Sequence, residues 1–222
     1  MLSLDWACKP EPPFWLLTAL HCTSHFPPTR DVELENWLGN WLHHCAPGAN
    51  DSKQRARSGY QLVYFKGGYV LHMLRMMLHD FARNDDSRFI AMMREFASTF
   101  QNRNASTEDF KAIVDRHFRA DMRWFFDQWV YGTEVPKITV EYSLTDSEQG
   151  AMFAGTLRQR GVSPEFRVIM PVVFRFKAGG AVARITATGA ATPSQFQLPE
   201  RPESVEFNPL DAVLCELEVK RM

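Results

Sequence analysis

The spacing of apolar positions along this chain changes from a helical period to a strand period near Pro136. From about Ser58 to Phe81, Leu62, Tyr69, Met73, Met76 and Met77 recur at helical spacing, with Val63, Val70, Leu74 and Phe81 widening the stripe. A mostly buried helix is predicted there. Asn84-Asp85-Asp86-Ser87 supplies a turn and cap for a second helix, whose inward face reads Phe89, Ile90, Met93, Phe96, Ala97 and Phe100. Ser106-Thr107-Glu108-Asp109 starts a third, with acidic residues suited to its dipole, and Phe110, Ile113, Val114 and Phe118 follow. A fourth, Asp121 to Val130, closes at Tyr131-Gly132, and Pro136 stops any continuation.

Beyond Pro136, Ile138, Val140, Tyr142 and Leu144 alternate with polar residues. Met152–Arg160, Phe166–Lys177, Ala181–Gly189, Ser194–Leu198, Ser204–Phe207 and Leu214–Lys220 each read as strands between turn residues. Seven short strands at this spacing predict an Ig-like antiparallel β-sandwich. The expected fold is α+β, a helical bundle over 31–135 followed by the sandwich over 136–222. Residues 1–30 show no regular pattern and stay unassigned, with poor order expected.

Composition narrows the function classes. The 222 residues carry 25 basic and 26 acidic side chains, which gives no broad electrostatic case for nucleic acid or an anionic membrane. Six Trp and 17 Phe favour a well-packed core or an apolar, partner-facing patch. Cys8, Cys22, Cys45 and Cys215 are scattered, so neither a zinc knuckle nor a disulfide framework is expected. The apolar run Phe14 to Leu20 follows acidic residues and prolines, a poor match to a secretory signal. No segment approaches the ~20 apolar residues that cross a bilayer. Compartment is left open.

The most informative stretch is residues 60–75, Tyr-Gln-Leu-Val-Tyr-Phe-Lys-Gly-Gly-Tyr-Val-Leu-His-Met-Leu-Arg. It resembles the segment of M1-family zinc aminopeptidases (gluzincins) that carries their catalytic tyrosine. Asn36-Trp37-Leu38-Gly39, Ala105-Ser106-Thr107-Glu108-Asp109-Phe110 and Trp124-Phe125-Phe126-Asp127-Gln128-Trp129-Val130-Tyr131-Gly132 are similar to further family segments in the same order. Gln159, Pro171, Leu198-Pro199 and Val205-Glu206-Phe207-Asn208-Pro209 match the family's β-domain more weakly. The resemblance covers about residues 36–219.

By that resemblance Tyr64 is the oxyanion stabiliser, a role that suits a hydroxyl with a pKa of about 10. Without it, Tyr64 is an amphipathic residue at a helix mouth. Lys66, Gly67 and Gly68 read as structural, allowing close packing and a special backbone angle at the helix start. His72 and His79 share one helical face and read as hydrogen-bonded core or core-edge residues rather than ligands.

The family's His-Glu-x-x-His zinc motif is not recognisable. An alternative ligand set is His21, His25 and His44, with i, i+4 spacing in the first pair and eighteen residues between the second. Cys22 stands where the general-base glutamate is needed, and Pro27 and Pro28 interrupt the required helix. The resemblance therefore implies a fragment or degenerate M1 zinc metallopeptidase, whose parent reaction releases N-terminal amino acids from peptides. No bound metal and no activity are expected of this chain alone. A non-catalytic interaction module is the alternative, its apolar bundle face meeting a catalytic-domain polypeptide or a second copy.

Overall fold

The computed structural model describes residues 66–222. Among them the chain is mixed α+β, with four α-helices and two open sheets of four and three strands. They group into two compact units, 66–71 with 91–119 and 72–90 with 120–222.

Helix α1 occupies residues 66–78 and buries Tyr69, Val70, Met73, Leu74 and Met76. It stops at Leu78, so Phe81 lies in the following turn and not on the helical stripe. Helix α2, Ser87–Thr99, has its stripe at Phe89, Met92, Met93 and Phe96. Those four fall at i, i+3, i+4 and i+7, one face of a 3.6-residue period. Ile90 and Ala97, expected inward, are exposed, because each lies about 100° round the helix from that face.

Helix α3, Thr107–Phe118, begins with a capping box. Asp109 N–H donates to Ser106 Oγ, and Ser106 N–H donates back to the Asp109 carboxylate. Within the same unit Phe96 and Phe110 meet edge to face at 5.2 Å. Helix α4, Arg123–Phe125, is a single turn that widens into a π-helix over Phe126–Tyr131. The expected uniform helix is thus two kinds of helix. Gly132 ends it where a Cβ would come within 2.4 Å of the Gln128 carbonyl oxygen.

All seven strands form: β1 Lys137–Ser147, β2 Gly150–Arg160, β3 Arg167–Arg175, β4 Gly180–Thr188, β5 Ala191–Leu198, β6 Ser204–Phe207 and β7 Glu216–Arg221. The four-stranded sheet runs β5-β2-β1-β7 and the three-stranded sheet β4-β3-β6. β1 and β2 form a hairpin in register from Lys137↔Arg160 to Ser147↔Gly150. Gly150 turns it at φ +119°, a left-handed backbone that other residues resist.

One pairing departs from the antiparallel expectation. β7 runs parallel to β1, from Lys137↔Glu216 to Tyr142↔Arg221. Alternation along a strand reveals which face is buried, not the direction of its neighbour. The sheets meet through their apolar sides: Phe153 packs on Phe174 at 5.3 Å, and Tyr142 on Phe207 at 5.2 Å. Pro171 is tolerated inside β3 because β6 pairs only from Val172 onward.

Candidate functional site

Tyr64, His21, His25 and His44 lie outside the described residues. Helix α1 is described from Lys66. Gly67 and Gly68 are buried within it and have helical backbone, not the special angle expected of them.

Farther along α1, His72 and His79 do not converge. His72 Nε2 donates to the Leu210 carbonyl at 2.8 Å. Burial holds its imidazole below the ordinary histidine value, against the opposing pull of that carbonyl. Leu210 itself has φ 57°, between Asn208 and Asp211, which are also left-handed. A leucine in that conformation is a strained residue. Asn208 fixes the loop by using its side chain as a strand partner. Its Nδ2 donates to Val213 O at 3.0 Å and its Oδ1 accepts from Val213 N at 2.8 Å. His72 and Asn208 thus hold one strained loop in place from two directions.

His79 is 4% exposed and donates from Nδ1 to Asp86 Oδ1 at 2.8 Å. Asp86 Oδ2 accepts from Arg75 Nε at 2.9 Å. Burial works against the Asp86 charge, but the Arg75 and His79 hydrogen bonds prevail and its carboxyl titrates below the usual range. Arg184 of β4 donates to the His79 carbonyl at 2.9 Å and lies over the Phe81 ring. The group joins the end of α1 to the start of α2. Sequence reasoning anticipated a hydrogen-bonded His79 and a cap at Asp86, but not that the two are partners.

The π-helix docks on β3 through Gln128, whose Nε2 donates to Arg167 O at 3.0 Å and whose Oε1 accepts from Arg167 N at 3.1 Å. The Arg167 guanidinium lies 5.0 Å from the centre of the Trp124 ring. Beneath it is a small apolar cleft between Met73, Met77, Trp129, Val168 and Val213. In the other unit, Glu95 accepts from Arg116 and, at 2.7 Å, from His117, and the Arg116 bond foremost lowers its carboxyl below the usual range.

Gln159, matched to the family's β-domain, is 5% exposed in β2. Its Nε2 bridges the carbonyls of Phe166 at 3.3 Å and Gly189 at 3.0 Å. It ties the segments flanking two strands to a third. Burial, with Asp211 and Glu216 adding to it, pushes the Cys215 thiol up to about 12, which keeps it protonated and a poor ligand or nucleophile. Among the described residues no group of three or more His, Cys, Asp or Glu is placed to hold a metal ion. Nor is any described helix long and apolar enough to cross a membrane.

No family model and no curated protein matches the chain. The solved structure of Legionella pneumophila aminopeptidase A in complex with aspartic acid is similar to it in fold. The TM-score is 0.51 at 13% identity, over 71% of this chain and 18% of that chain. At that identity the likeness is one of fold, and this chain has a distant aminopeptidase-like fold.

Proposed function

We propose that the chain is a fragment or degenerate member of the M1 zinc aminopeptidases and is inactive alone. The observation that carries this reading is the agreement of two independent likenesses. The Tyr-x-Lys-Gly-Gly segment resembles the family's catalytic-tyrosine helix, and the described fold is similar to part of a solved aminopeptidase. In this reading 31–135 is the end of a catalytic helical bundle and 136–222 an Ig-like β-sandwich. Tyr64 is the former oxyanion donor, and the parent substrate is a peptide with a free N-terminus.

The chemistry this chain lacks follows from its own residues. With Cys22 in place of the glutamate, the His21–His25 segment has no carboxylate to take a proton from water. A phenol such as Tyr64 donates a hydrogen bond to a developing oxyanion but supplies neither nucleophile nor base.

Zinc content per chain, measured by elemental mass spectrometry after dialysis in metal-free buffer, tests the reading together with fluorogenic aminoacyl-substrate turnover. Zinc well below one per chain and no turnover are expected. Near-stoichiometric zinc lost in His25→Ala, with chelator-sensitive turnover lost in Tyr64→Phe, would establish an active enzyme built on His21, His25 and His44.

A further inference from the structure

β7 closes one end of the four-stranded sheet, and among the described residues no strand pairs with its outer side. Glu216 N–H donates to Pro136 O and Met222 N–H to Tyr142 O, so the even-numbered residues of β7 direct their backbone groups at β1. In a parallel ladder the alternate residues point the other way. Leu217, Val219 and Arg221 therefore present their N–H and C=O groups to the free edge. Val219 lies opposite the buried Val140 on the sheet's inner side, yet is 45% exposed. On the outer side Glu218 and Lys220 are exposed and linked to each other at 3.2 Å.

We infer that β7 is a self-association edge that pairs antiparallel with β7 of a second copy about a two-fold axis through Val219. This goes beyond the peptidase reading and does not depend on it. A two-fold axis perpendicular to the sheet keeps like faces together. With Val219 opposite the partner's Val219, Leu217 falls opposite the partner's Arg221. All of these are edge-facing residues, so the backbone hydrogen bonds of an antiparallel ladder can form. The same register sets Glu218 against the partner's Lys220, and Lys220 against the partner's Glu218, on the outer side.

Neighbouring registers fail on charge. Moving the axis to residue 218 puts Glu218 opposite its own copy, and moving it to 220 does the same with Lys220. Charged edge residues normally block strand pairing. Here the order Glu-Val-Lys blocks the alternatives and admits one. The contact is short, well under the ~800 Å² per partner of a stable interface, so the dimer is weak and concentration-dependent.

Sedimentation equilibrium of the full chain up to its highest soluble concentration tests this. The wild type is expected to dimerise reversibly and less tightly at high salt. Lys220→Glu places four carboxylates together and is expected to weaken the dimer by about tenfold or more. The swapped variant Glu218→Lys/Lys220→Glu restores opposite charges and is expected to return to within about threefold of wild type. Val219→Pro removes an edge-facing N–H while leaving the β1 pairing intact, and is expected to abolish the dimer. A wild type that stays monomeric, a dimer indifferent to these changes, or a swap that fails to restore it would each overturn the proposal.

Discussion

Asp86 accepts the Nδ1 hydrogen of buried His79 across 2.8 Å, and through its other oxygen it holds Arg75 as well. His79 is the last residue before the turn and Asp86 the last before α2, so one carboxylate joins the ends of two helices. The turn between them is itself closed by paired backbone bonds between Asp80 and Asp85, at 3.0 and 3.1 Å.

Asp86→Ala is therefore expected to lower stability by about 2–3 kcal/mol, because it strands a buried imidazole and a guanidinium. The pH dependence follows from the lowered carboxyl value. Folding favours the ionised form, so the contribution is complete above the unfolded value of about 3.9 and is lost as pH falls through the lower folded value. Urea unfolding of wild type and variant at several pH values checks this. The gap should be widest near neutrality and should narrow in acid; a gap independent of pH would reject the charged-pair account.

Phe153 is fully buried and touches Tyr142, Phe174, Phe196 and Phe207, which come from both sheets. Phe153→Ala should cost about 3–5 kcal/mol. Ile90→Ala, at a position 43% exposed, should stay within about 0.5 kcal/mol. Equal effects of the two in denaturant titration would contradict the assigned core.

That contrast also marks what the sequence could reveal. Strand positions were legible because alternation such as Ile138, Val140 and Tyr142 is a local signal set by the pleat. The inward face of α2 was only half legible: Ile90 is as apolar as Phe89, and only tertiary packing decides which of two adjacent residues turns inward. The parallel β1–β7 pair joins the first and last strands, and nothing in either strand encodes that partnership. The Gln128 bracket on Arg167 likewise joins residues distant in sequence. The Tyr64 assignment rests on motif resemblance, and its residue lies outside the described part of the fold.

Gln159→Ala is expected to destabilise by about 2–4 kcal/mol, since it leaves the Phe166 and Gly189 carbonyls without a donor and opens a cavity. Gln159→Leu tests the two parts separately. It fills the volume but supplies no N–H, so it should recover only part of the loss. Full recovery in thermal unfolding would assign Gln159 to packing alone.

Cys215 gives the last prediction. Cys215 is half-buried, and its thiol stays protonated well above neutrality, so alkylation in the folded protein is slowed by the scarcity of thiolate. At pH 8 an ordinary exposed thiol, with a value near 8.5, is already partly thiolate and reacts readily with iodoacetamide. Peptide mapping after a timed pulse of reagent should find Cys215 unmodified under native conditions and fully modified in denaturant. Because a raised value is a property of burial, Asp211→Asn should change native labelling little, whereas loosening the adjoining loop through His72→Ala should speed it. Rapid native labelling of Cys215 would mean that the loop from Asn208 to Leu214 opens readily, and that the His72 bond to Leu210 does not hold it.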